Sequence, residues 1–77
     1  MRKGIYRIVI KRHAFVRAIR RKIAPDLVEQ TLQHGRMKRF GRNCVRFEKH
    51  FRNFTVICVD EIIGNMIKIL TIEKRRR

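Results

Sequence analysis

The chain has 77 residues, 44% of them hydrophobic, and 21 Lys and Arg against six Asp and Glu give it a net charge of +15 and a pI near 11.6. That is one small domain, residues 1–77, with just enough length to bury a core, and a charge that repels itself unless a polyanion answers it. Four Gly and one Pro, with no low-complexity segment or internal repeat, fit a folded chain, two Cys without a CxxC motif exclude the usual zinc fingers and ribbons, and the absence of Ser excludes a serine nucleophile.

Ile5 to Lys11 reads as a strand, with Ile5, Ile8, Val9 and Ile10 as its apolar members. Arg12 to Ile23 reads as a helix. Phe15, Val16, Ile19 and Ile23 recur at helical spacing and are expected to face the core. A bend at Ala24 leads to a second helix in "APDLVEQTLQHG". Pro25 suits its first position, Asp26 and Glu29 suit the positive end of the helix dipole, and Leu27, Val28, Thr31 and Leu32 form its buried stripe. Gly35 stops it, expected as a left-handed cap residue.

The rest of the chain reads as strands. "RMKRF" is a short strand or arm and Gly41 a turn. "NCVRFEK" alternates weakly, "NFTVICVD" is apolar on both faces and so central, and "MIKILTIE" comes last. Gly64-Asn65 suits a two-residue hairpin turn, which by counting back pairs Cys58 with Thr71; a longer loop over Asp60 to Asn65 is the alternative. Residues 74–77 read as a disordered basic tail. The expected fold is α+β: a strand, two helices, then three or four strands, in a small, twisted, mostly antiparallel sheet with the helical pair on one face.

On a helical wheel of ~100° per residue, Arg17, Arg20 and Arg21 fall within ~80° of His13. One face thus offers a titratable imidazole and three permanent cations. Guanidinium forks suit phosphate oxygens, and imidazole suits proton transfer near neutral pH. Metal-free RNA cleavage needs such parts: a base for the 2′-OH proton, cations for the phosphorane charge and an acid for the leaving oxygen. The arginines are expected to disfavour the charged imidazole and keep it available as a base. The same face serves equally well for binding alone. Lys22, Arg36, Lys38, Arg39, Arg42 and Arg46 extend the candidate nucleic-acid surface, with Phe40, Phe47, Phe51 and Phe54 interleaved. Phe47 and Phe54 are expected inside, while Phe40 and Phe51 are open candidates for base stacking.

His34 is accounted for at a helix C-terminus, and His50 falls in a turn. The three histidines lack metal-ligand spacing. Asp60 and Glu61, adjacent on a strand, point to opposite faces, so neither a metal site nor a cofactor is expected. Cys44 and Cys58 are expected to be reduced, small apolar residues. No apolar run approaches the ~18 residues of a spanning helix, and the apolar piece near Met1 has no small-residue cleavage site. A cytoplasmic protein without a membrane partner is expected.

"HAFVRAIRRKIAPDLVEQTLQHG", then "VICVD" and "IKILTIE", resembles the domain-of-unknown-function family numbered 4258, a group of very small prokaryotic, plasmid and viral proteins. The matching features are His13-Ala14, Arg17, Arg21 with Ile23, Gly35 and Thr71, and the resemblance spans residues 5–73. That family looks like a relative of the BrnT-type and RelE-like toxins of toxin–antitoxin pairs. It implies a small antiparallel sheet with two helices, metal-independent endoribonuclease activity on RNA (at the ribosome in RelE-like members) and an acidic antitoxin partner. His13, Arg17, Arg21 and Thr71 are the implied catalytic positions. The chain departs from it in its added basic clusters at Arg36 to Arg42 and Lys74 to Arg77. Beside the toxin stand a non-catalytic nucleic-acid-binding protein on the same scaffold, RNA being favoured over DNA, and a component of a ribonucleoprotein such as the ribosome; a homodimer is compatible with either.

Overall fold

A computed structural model describes residues 2–76. Its elements in chain order are β1 (Arg2–Lys3), β2 (Tyr6–Ile10), α1 (Arg12–Arg20), α2 (Pro25–His34), β3 (Arg36–Phe40), β4 (Cys44–His50), β5 (Phe54–Ile63) and β6 (Met66–Arg76). The strands form one sheet in the order β1-β2-β6-β5-β4-β3, with β5 in its interior as its two-sided apolarity requires. Only β2 and β6 are parallel; the other neighbours are antiparallel. Both helices pack on one face, α1 over β6 and α2 over β4 and β5, and Ala18, Ile23, Val28 and Leu32 share one core with Phe47, Cys58, Ile67 and Ile69. The fold is α+β, as the alternation of patterns predicts.

The first helix is shorter than its pattern and turned differently. Lys22 takes a left-handed φ of 60°, which ends α1 and swings Ile23 into the core at 1% exposure. The residues that face the sheet are Ala14 and Ala18, at 1% and 2% exposure, while Phe15, Val16 and Ile19 stay 39%, 39% and 53% exposed. Alanine lets the helix backbone lie close against β6; a face of bulky side chains would hold it off. The second helix follows its pattern. Pro25 opens it, Val28, Thr31 and Leu32 are buried, and the buried Thr31 hydroxyl donates to the Leu27 carbonyl at 2.8 Å.

Gly35 ends α2 in an extended conformation, with φ −72° and ψ 163°, and not as a left-handed cap. Glycine is needed there for space: a Cβ would collide with the Thr31 carbonyl oxygen and lie 2.8 Å from that of Glu48. Gly64-Asn65 is the two-residue turn, Ile63 pairing with Met66. The longer loop over Asp60 to Asn65 is thereby ruled out. Cys58 pairs with Ile72 and not with Thr71, because a bulge between Val59 and Asp60 leaves Leu70 as an extra residue in β6. Lys74, Arg75 and Arg76 are not a frayed tail. They continue β6 against Val56, Thr55 and Phe54, and the Lys74 ammonium lies 4.5 Å from the centre of the Phe54 ring.

Candidate nucleic-acid interface

The short helix α1 and the residues that flank it form a long basic run without an acid. Residues 11–22 hold Lys11, Arg12, Arg17, Arg20, Arg21 and Lys22 and no acid. His13, Arg17 and Arg20 lie together on the solvent side of α1, exposed and with no side-chain hydrogen bond or ion pair among the described residues. Arg21 is engaged otherwise. Its Nη1 donates to the Ile72 carbonyl at 2.8 Å, tying the end of α1 to β6. Lys22 stands beside a shallow cleft of about 260 Å³ lined by Ile19, Ile23, Ala24 and Pro25.

Thr71 does not join them. Ile72 points into the core between sheet and helices, so Thr71, its neighbour on the same strand, points to the helix-free face opposite Val59. Of the four positions implied by the resemblance, His13 and Arg17 are brought together in the open, Arg21 holds a backbone carbonyl and Thr71 lies through the sheet.

The second basic zone is divided between the two faces. Arg36, Lys38 and Arg46 alternate onto the helix-free face with Glu48, whose carboxylate lies 3.5 Å from the Lys38 ammonium and 3.7 Å from the Arg46 guanidinium. Arg39, opposite the buried Val45, belongs to the other face, and Arg42 lies within the turn of residues 41–43. Glu61 and Glu73 also fall on the helix-free face by their register with Cys44 and Ile57. Three of the six acids are therefore on that face, and no acid forms an ion pair with residues 11–22 among the described residues.

Phe47 is fully buried. Phe51 and Phe54 are half-buried and stack on each other, with centroids 5.2 Å apart and rings inclined by 22°. Lys49 sits 5.5 Å from the Phe51 ring centre, so this pair closes the β4–β5 end of the core. Phe40 is left out, at 46% exposure. His34 is exposed in the last turn of α2, and the Nδ1 of His50 lies 2.8 Å from the Thr55 hydroxyl. Among the described residues no three of His, Cys, Asp and Glu stand close enough to hold a metal ion.

One chemically unusual residue escaped sequence reasoning. Asp60 is fully buried on the core face, and neither carboxylate oxygen has a hydrogen-bond partner. Burial pushes its carboxyl up to about 8. Burial, and then the nearby Asp60 charge, push the Cys58 thiol up to about 12. The available signal was alternation: two residues after a core cysteine in "CVD" is again the core face. Cys44 points to the other face, so the two thiols are separated by the sheet.

No helix among the described residues is long and apolar enough to cross a membrane. No family model, no curated protein and no solved structure matches the chain.

Proposed function

We propose that this chain is a nucleic-acid-binding protein that contacts the phosphodiester backbone through α1, with RNA as its partner. The observation that carries this reading is the unanswered charge of α1 and its flanking residues: six cations in residues 11–22, no acid, and Arg17 and Arg20 free in solvent. Each phosphate neutralised by such a cation releases a condensed counterion, so binding is steeply salt-dependent. The preference for RNA comes from the family resemblance, as does a place for the chain beside an acidic antitoxin or on the ribosome.

The second reading is metal-independent RNA cleavage by a RelE-like or BrnT-type toxin. It is kept because His13 shares the exposed ridge with Arg17, one turn away, where a proton acceptor and a phosphate ligand would both reach one phosphodiester. The position of Thr71 across the sheet weighs against it.

One gel separates the two. Labelled single-stranded RNA in EDTA is incubated with wild type, Arg17→Ala, Arg20→Ala and His13→Ala over a range of salt. Binding alone gives intact RNA throughout, a salt slope about one lower for each lost arginine, and unchanged affinity for His13→Ala. A slope untouched by either arginine would remove α1 as the interface. Discrete fragments with wild type but not with His13→Ala would make the chain a ribonuclease.

A further inference from the structure

The solvent side of α1 is divided lengthwise. His13, Arg17 and Arg20 form one ridge. Phe15, Val16 and Ile19 form the next, with Arg12 on the same side of the wheel at ~100° per residue. The apolar ridge is not a packing face, because Ala14 and Ala18 have that task. At the helix end the ridge runs on into the cleft, with Ile23 buried, Ile19, Ala24 and Pro25 around it and Lys22 at its edge.

Three large apolar side chains left in water beside unpaired cations call for an occupant that is apolar and anionic at once. A second copy of the chain would supply apolar surface but set Arg12, Arg17 and Arg20 against their own kind. A nucleic acid answers the cations and leaves Phe15, Val16 and Ile19 against sugar and phosphate. A bilayer of anionic phospholipid offers both in layers: phosphates in the headgroup region and acyl chains a few ångströms beneath. A fluid surface also accepts a convex ridge without a preformed groove.

We propose that α1 is an interfacial helix that docks on an anionic phospholipid surface. Phe15, Val16 and Ile19 enter the boundary between headgroups and acyl chains. Arg12, Arg17 and Arg20 reach back to the lipid phosphates, as long cationic side chains do at such boundaries. An acyl segment fills the cleft between Ile19 and Pro25. This role goes beyond nucleic-acid binding, and since it uses the same arginines, lipid and RNA compete.

The test uses the full chain and sedimentation with vesicles of phosphatidylglycerol and phosphatidylcholine, or of phosphatidylcholine alone. Charge by itself adsorbs so basic a protein to any anionic vesicle at low salt, so the deciding arm is about 1 M NaCl, where the Debye length is about 3 Å. At low salt the wild type is expected to prefer phosphatidylglycerol vesicles, and at high salt to remain on both kinds of vesicle through its apolar ridge. The Phe15→Ser/Ile19→Ser variant keeps the net charge and the buried alanine face. Its high-salt binding is expected to fall about tenfold or more, while its RNA mobility shift at low salt is unchanged. That shift also reads the nucleic-acid proposal separately. The chain has no Trp, so Ile19→Trp adds a sole indole whose emission should move to the blue with phosphatidylglycerol vesicles. Release of the wild type at high salt, equal binding by the double variant, or an unmoved Trp emission would each overturn the proposal.

Discussion

Asp60 is a carboxyl group with two unpartnered oxygens among apolar side chains; Val45 and Ile69 are its direct cross-strand neighbours. Its pKa of about 8 in the folded chain lies above the ~3.9 of an unfolded aspartate. Between those values the folded state holds a proton that the unfolded state has released. Its contribution to stability is therefore fully present below about pH 4 and is lost as pH rises through about 8. Asp60→Asn keeps the shape and cannot ionise. Urea unfolding should show wild-type stability declining from pH 5 to pH 8, a flatter profile for the variant, and a variant advantage of about 1–3 kcal/mol at pH 8. A flat wild-type profile would mean that Asp60 finds a partner in solution. At this scale the sequence was half legible. Alternation from Cys58 puts Asp60 on the core face, but that no donor meets it depends on which chains cross above. Gly35 is similar. Its place at the end of a helix is readable, whereas one of the two carbonyls that exclude a side chain there, that of Glu48, lies thirteen positions along the chain.

Elements are most legible where one local signal fixes them. Pro25 and the stripe Val28, Thr31, Leu32 define α2, and Gly64-Asn65 defines the β5–β6 turn. They are least legible where tertiary packing chooses between faces. Hydrophobic weighting ranks Phe15 and Ile19 above Ala14 and Ala18, yet a short helix lying on a sheet buries what allows close approach. The bulge at Leu70 leaves no local mark, so the register beyond it is shifted by one. The end of β6 is misleading because a run of cations looks solvated. In the fold it is the partner strand for the start of β5, with Lys74 laid over Phe54. Deletion of residues 74–77 should therefore expose Phe54 and unpair the β5 backbone. We expect a loss of about 1–2 kcal/mol, a fall in Tm of about 5–10 °C in a thermal melt. An unchanged Tm would show that these residues fray in solution.

Across the whole molecule, charge is the most legible property and its distribution the least. The six acids are spent in three places: Asp26 and Glu29 at the start of α2, Asp60 inside, and Glu48, Glu61 and Glu73 on the helix-free face. None of them forms an ion pair with α1 among the described residues. A surface kept this way for an anionic partner carries self-repulsion when the partner is absent. This gives stability and binding opposite responses to one substitution. Arg12, in the first turn of α1, is exposed and has no side-chain partner among the described residues, so Arg12→Glu removes no contact, suits the helix dipole and lowers the net charge by two. In about 20 mM salt its Tm should rise by a few degrees, as repulsion from Arg17 and its neighbours is relieved, while its affinity for single-stranded RNA falls roughly tenfold or more. In about 0.5 M salt the wild type should gain the same stability by screening, the two melting curves should converge, and RNA should no longer raise either Tm. If Arg12→Glu instead melts lower at both salt concentrations, Arg12 belongs to the packing of α1, and the helix is not held open for a polyanion.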